Sequence, residues 1–292
     1  MRTAANGIEI EYETFGDAAD PTLLLVHGIG AQLVSWHPDL CQGFVDRGFH
    51  VVRFDNRDVG SSTKIDDHQI DVMAAILGAF SGGPIEAPYT LADMASDAWA
   101  LLDHLGAARA HLFGHSMGGM IVQQMAIDQP ERVATLTSHG STTGDPDVGQ
   151  PTAEAAAMLL APAPAGREAN IEVSVEQSRF LGGPVYVDEE WNRERAAMSF
   201  DRCYDPDGVT RQFLAILASP SRSAGLRALD LPALVAHGEI DPLIDISGGE
   251  RTAECLRGSE FLRLDDAGHP LPHYYWASMI QHITALAARS AA

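Results

Sequence analysis

Ser116 stands in the run Gly114-His115-Ser116-Met117-Gly118, with a further glycine at Gly119. Apolar residues precede it (Ala110, Leu112, Phe113), and an apolar, helix-like run from Met120 to Ala126 follows. Gly-x-Ser-x-Gly between a strand and a helix implies a turn tight enough to strain the serine backbone and turn its hydroxyl outward. The glycines let strand and helix approach without a Cβ clash. A serine hydroxyl alone is a weak nucleophile. The motif therefore calls for a histidine base, a carboxylate to orient it, and N–H donors for an oxyanion.

Three other segments can supply these parts. Leu25-Val26-His27-Gly28-Ile29-Gly30 is an apolar run that enters a His-Gly-x-Gly turn, which can aim a backbone N–H at a carbonyl oxygen becoming negative. The N–H of Met117, directly after the serine, is the second donor expected. Val235 to Pro242 delivers Asp241 at a strand end, where an orienting carboxylate belongs; Asp245, Asp265 and Asp266 compete with it. Asp265-Asp266-Ala267-Gly268-His269-Pro270 places His269 in a loop between the other two. The competing His273 and His282 fall in an expected helix and His237 in an expected strand. The chain order serine, aspartate, histidine is the one this architecture uses. Asp55 and Arg57 are expected to pair structurally rather than to react. Trp36, Trp191, Met198 and Phe213 are the candidate apolar substrate contacts.

These residues need a scaffold of buried strands. Residues 8–15 alternate as a half-buried strand, and 22–27 form a continuous apolar run expected of a strand covered on both faces. Residues 49–54, 110–113, 133–138, 232–237 and 259–264 read as strands too. Helices are expected over 36–47, 91–105, 118–128, 247–256 and 273–288; Thr90-Leu91-Ala92-Asp93 is a capping-box pattern for the second of these. Strands alternating with helices imply an α/β protein with a mostly parallel, doubly wound sheet. Residues 63–89 read as a long loop with a short helix at 70–79. Residues 143–222 begin with a breaker run (Gly144-Asp145-Pro146-Asp147) and lack strand signals. They are expected to form a helical cap inserted into a core of residues 1–142 and 223–292.

His27-Gly28-Ile29-Gly30, the segment from Asp55 to Ser62, Gly114 to Gly119, Gly238 to Pro242 and Gly268-His269 together resemble the α/β-hydrolase superfamily over nearly the whole chain. Within it the chain is similar to capped serine ester hydrolases related to aclacinomycin methylesterase, with Asp58 where the superfamily more often has glycine. The resemblance implies that Ser116 attacks an ester carbonyl, His269 takes its proton and Asp241 holds the imidazole, with the amides of Ile29 and Met117 binding the oxyanion. It implies no metal and no organic cofactor. A carbon–carbon bond hydrolase, a lactonase or a cofactor-free perhydrolase could use the same set, and a non-catalytic small-molecule receptor could use the same scaffold. An Asp nucleophile, as in epoxide hydrolases and haloalkane dehalogenases, is disfavoured because Ser116 stands there.

Composition narrows the partners. Against 40 Asp+Glu there are 19 Lys+Arg, a net charge of −21 that repels phosphate backbones and argues against nucleic acid. It also leans the substrate towards neutral or cationic small esters. Cys41, Cys203 and Cys255 are far apart and odd in number, so neither a disulfide framework nor a zinc site is expected. No apolar run approaches the roughly 20 residues that span a bilayer. The expectation is a cytoplasmic protein, monomeric or homodimeric, with no membrane or nucleic-acid partner.

Overall fold

The computed structural model describes residues 1–66 and 85–290. The helix expected at 70–79 lies outside the described residues.

Eight strands form one sheet: β1 (Arg2–Ala5), β2 (Ile8–Phe15), β3 (Thr22–Val26), β4 (His50–Phe54), β5 (Ala110–His115), β6 (Val133–His139), β7 (Ala233–Gly238) and β8 (Glu260–Leu264). Their order is β1-β2-β4-β3-β5-β6-β7-β8. β3 to β8 are mutually parallel, and β1 and β2 are antiparallel additions at one edge. Among the described residues the helices are α1 (Pro38–Val45), α2 (Leu91–His104), α3 (Met117–Asp128), α4 (Ala153–Leu159), α5 (Arg167–Gly182), α6 (Glu189–Arg202), α7 (Pro206–Ala218), α8 (Ser223–Arg227), α9 (Ser247–Cys255) and α10 (Trp276–Ser290). None of the helices described is long and apolar enough to cross a membrane.

Period two in the strands splits the core into two layers. Leu23 and Leu25 join Phe113 and Leu234 against Phe44 of α1 and Met279 and Ile283 of α10. Leu24, Val26 and Leu112 face the opposite way, against Met94 and Trp99 of α2 and Ile121 and Met125 of α3. A sheet covered on both faces needs continuous apolar strands, and all five residues of β3 are buried. Each buried Leu or Phe contributes about 1.5–3 kcal/mol. That outweighs the exposed Arg2–Glu11 pair at 3.1 Å, worth about 0–1 kcal/mol, so burial and not surface charge fixes the strand order.

Element ends follow local chemistry. The β1–β2 hairpin, absent from the sequence expectations, turns on Asn6-Gly7, both at positive φ (49° and 79°); Asn-Gly is the favoured pair for such a two-residue turn. α1 starts at Pro38 rather than at residue 36, because proline suits the first helical position and the His37 imidazole caps it, accepting from the Asp39 amide at 3.0 Å. The Thr90 amide donates to Asp93 at 2.7 Å, completing the cap of α2. α10 is preceded by a 3-10 turn at His273–Tyr275. β3 lies between β4 and β5, so consecutive connections leave it in opposite directions. The crevice at such a switch point, beyond the carboxyl ends of the strands, is where this architecture places its loops for chemistry.

Candidate active site

Four of those carboxyl-end loops converge. Ser116 follows β5 with φ 57° and ψ −124°, a left-handed backbone that a non-glycine residue adopts only under strain. It is held there by its amide donating to the His139 carbonyl at 2.9 Å and by the Ser141 hydroxyl donating to its own carbonyl at 2.8 Å. A Cβ on Gly114 would collide with the Gly118 backbone, and one on Gly118 with the Val26 carbonyl, so both positions must stay bare. His269 Nε2 lies 2.9 Å from Ser116 Oγ, and its Nδ1 lies 2.7 Å from Asp241 Oδ2. Asp241 Oδ1 accepts from the amides of Leu243 (2.8 Å) and Ile244 (3.0 Å), which leaves Oδ2 for the imidazole. All three side chains are buried.

The competing residues lie elsewhere. Asp245 caps the Ser247 amide at 3.0 Å, while Asp265 and Asp266 are exposed. His282 faces Glu260, and His273 stacks on Trp276 with ring centres 4.3 Å apart. His237 sits beneath the site: its Nε2 is 2.8 Å from the Ile244 carbonyl and 3.5 Å from Asp241 Oδ2.

The amides of Ile29 and Met117 have no hydrogen-bond partner among the described residues. Ile29 is on the loop after β3. Met117 is the first residue of α3, so its N–H belongs to the positive end of a helix dipole. Gly28 brings that loop against Ser116, where a Cβ would touch the serine side chain.

The imidazoles of His27, His115 and His139 beside the site are kept neutral. Burial, helped by the charge of Arg195, pushes His27 down to about 3. Burial and His237 push His139 down to about 3, and burial with His269 holds His115 well below its ordinary value. His115 Nδ1 and His139 Nδ1 are 2.8 Å apart, a bond that requires one to donate and the other to accept. For Asp241, burial alone would raise the carboxyl. The imidazoles of His269 and His237 outweigh it and hold the carboxyl well below the usual carboxylate range.

A cavity of about 1090 Å³ opens above Ser116 and His269. Trp36, Trp191 and Phe213 line it, but Met198 does not. α6 turns Trp191, Asn192, Arg195 and Ser199 to the cavity, which leaves Met198 on a flank 38% exposed.

Contacts from α5 to α7 reach the loops of the site, and sequence reading missed them. Gln212 is fully buried; its Oε1 accepts from the Gly30 amide at 2.8 Å and its Nε2 donates to the Arg57 carbonyl at 2.7 Å. Gln32 Nε2 donates to the carbonyls of Ser199 and Cys203 at 2.7 and 2.9 Å. The Leu181 carbonyl accepts from the His269 amide at 2.8 Å. Asp55 and Arg57 do not pair with each other. Asp55 pairs with Arg202 at 2.9 Å and Arg57 with Asp97 at 2.6 Å. The chain turns after them, with Asp58 at φ 72°, and sends the two side chains to different elements. Asp58 itself pairs with Arg211 at 2.9 Å and accepts from Tyr89 at 2.5 Å.

Comparison with known proteins agrees with this architecture. The family model described as alpha/beta hydrolase fold matches residues 21–273. Rhodomycin D methylesterase of Streptomyces peucetius is 29% identical, covering 89% of this chain and 88% of that protein. A putative carbamate hydrolase of Variovorax paradoxus is 27% identical, covering 89% of each. The crystal structure of the enol-lactonase from Burkholderia xenovorans superposes with a TM-score of 0.73 at 20% identity, covering 99% of this chain and all of that one. With the parallel sheet, the serine after β5 and a match over most of its length, the chain belongs to the α/β-hydrolase fold family.

Proposed function

We propose that the protein is a serine hydrolase that cleaves carboxylic esters of small, fairly apolar molecules through an acyl-enzyme. The observation that carries this reading is the hydrogen-bonded line Ser116–His269–Asp241 at the floor of a cavity, beside two unused amides. The methylesterase relative supports the ester as substrate.

In this mechanism Ser116 Oγ attacks the carbonyl carbon while its proton passes to His269 Nε2. Asp241 accepts from Nδ1–H, fixes the tautomer and balances the imidazolium. The carbonyl oxygen becomes an oxyanion that accepts from the amides of Ile29 and Met117, donors already oriented before charge develops. The tetrahedral species collapses, the C–O bond breaks, and His269 returns the proton to the departing alcohol. Water then attacks the acyl carbon, again giving its proton to His269, and the acid leaves as Ser116 is restored. No metal or organic cofactor takes part in this reading. Residues 143–222 act as the cap, with Trp36, Trp191 and Phe213 facing the substrate. The enzyme works in the cytoplasm, as a monomer or homodimer.

Replacing Ser116 by Ala removes the nucleophile and leaves the packing almost unchanged. Turnover of short p-nitrophenyl esters should disappear while the urea midpoint stays in place. Undiminished activity in the variant overturns the mechanism.

A further inference from the structure

Among the described residues, Arg195 is the only lysine or arginine that lines the cavity above Ser116. The other arginines of α5 to α7 each have a carboxylate. Arg167 pairs with Asp201, Arg179 with Glu189, Arg193 with Glu172, Arg202 with Asp55 and Arg211 with Asp58. Arg195 has none among the described residues, in a chain with 40 acidic side chains to choose from. Its one hydrogen bond among the described residues is a long one, from Nη2 to Ser178 Oγ at 3.3 Å. Arg222 is the informative contrast. It too has no ion pair among the described residues, but it is more deeply buried, bonds Gln123 and Thr142 at 3.0 Å each and lies away from the cavity. Neutral acceptors satisfy it structurally, whereas most of the Arg195 fork has no acceptor.

A half-buried guanidinium whose donors are not used within the protein can offer them to an anionic group in the cavity. Arg195 lines the same cavity as His27 and Ser116. Ser174, Gln177, Ser178 and Asn192 of α5 and α6 are neutral polar groups that line the same cavity, and Ser178 is the one that Arg195 bonds. The acids that line the cavity are engaged elsewhere or lie at its rim. Asp58 and Asp205 are tied to Arg211, Asp188 caps α6 through the Trp191 amide at 3.0 Å, and Asp207 is exposed.

We infer that Arg195 is a carboxylate-binding subsite, and that the preferred substrates are esters carrying a carboxylate several bonds from the scissile carbonyl. The planar fork accepts a carboxylate through two parallel hydrogen bonds, which orients the chain as well as attracting it. This rests on the serine-hydrolase reading. It reverses the lean towards neutral or cationic substrates drawn from the net charge of −21. The overall field slows the approach of an anion, but the local cation decides how it binds.

The test compares p-nitrophenyl hydrogen glutarate, adipate and suberate with the neutral pentanoate, hexanoate and octanoate esters. The wild type should favour at least one hydrogen ester over its neutral match in kcat/KM. Arg195→Met should lower kcat/KM on that ester by about 100-fold and on the neutral one by less than about threefold, with Arg195→Lys in between. Equal losses on both classes, or no loss on any hydrogen ester, overturn the subsite. Calorimetry of the free dicarboxylates with Ser116→Ala separates the two readings. Binding lost in the Ser116→Ala, Arg195→Met double variant supports the subsite even if no ester is turned over, a result that would sink the hydrolase reading alone. Ser116-dependent turnover with no arginine effect sinks the subsite alone.

Discussion

Gln212 offers a sharp test of how the oxyanion loop is held. It lies 182 residues from Gly30, is fully buried, and satisfies two backbone groups at once. Gln212→Leu keeps the bulk and deletes both bonds. The Arg57 carbonyl then loses its partner inside the protein, at a cost of about 1–3 kcal/mol. The half-buried Gly30 amide can recover some water, so its loss falls near the lower end of that range. Together they give roughly 2–4 kcal/mol, measured as the shift in unfolding free energy by urea titration. The kinetic consequence is separate. The Ile29 N–H sits next to Gly30, and removing an oxyanion donor outright costs about 100- to 1000-fold in kcat. A donor that is loosened rather than deleted should cost about 10- to 100-fold in kcat on p-nitrophenyl butyrate, with KM changed by less than about threefold. Gln212→Glu keeps an acceptor for Gly30 and should retain more kcat than the leucine. If Gln212→Leu loses the expected stability but keeps kcat within twofold, the glutamine holds the fold and not the oxyanion loop, and this account is refuted.

Asp241→Asn should lower kcat by about 10⁴-fold, because an amide N–H facing His269 Nδ1 stabilises the wrong imidazole tautomer; a loss below tenfold in the folded variant would mean another group orients His269. Acid stability gives an independent check. His27 (about 3), His139 (about 3), His111 (about 4) and His115 (well below 6.5) are neutral in the folded chain and protonate once it unfolds. Their contribution is therefore intact above pH 6.5 and is lost as pH falls towards 4. Near pH 5 each costs about 1.4 kcal/mol per pH unit, roughly 5 in total, and unfolding free energies that stay flat from pH 7.5 to 5 would contradict it.

The sheet and the line of Ser116, His269 and Asp241 were legible because short-range physics writes them into short segments. A strand buried on both faces must read like Thr22–Val26, and a turn whose Cβ atoms would strike backbone must read Gly-x-Ser-x-Gly. The Asn6-Gly7 hairpin carried an equally local signal that the sequence reading did not use. What stayed hidden is long-range pairing. Asp55 and Arg57 look like partners when they are two residues apart, yet their carbonyl-end turn sends them to Arg202 and Asp97. The α6 helix has a single buried residue, Ala196, so no apolar stripe marked which face met the cavity. Met198 therefore looked as eligible as Trp191.

The same long-range contacts change how the helices between β6 and β7 should be regarded. A cover that only shaped the substrate pocket could be trimmed at the expense of specificity alone. Here the Leu181 carbonyl holds the His269 amide at 2.8 Å, and Gln212 holds the Gly30 amide at the same distance. One contact steadies the loop that bears the proposed base, and the other the loop that bears the proposed oxyanion donor. Arg202–Asp55 and Arg211–Asp58 add ion pairs to buried carboxylates between the helices and the loop after β4. Such pairs yield little net stability over apolar packing, but breaking one strands a buried charge at a cost of about 3–5 kcal/mol. In the proposed mechanism, the helices α5 to α7, which include Arg195, are thus also the ones that steady the base and the oxyanion loop. Substitutions at Gln212, or ones that shift the Leu181 carbonyl, should therefore lower kcat, whereas Arg195, whose hydrogen bond is to Ser178 of α5, should act mainly on the choice of substrate.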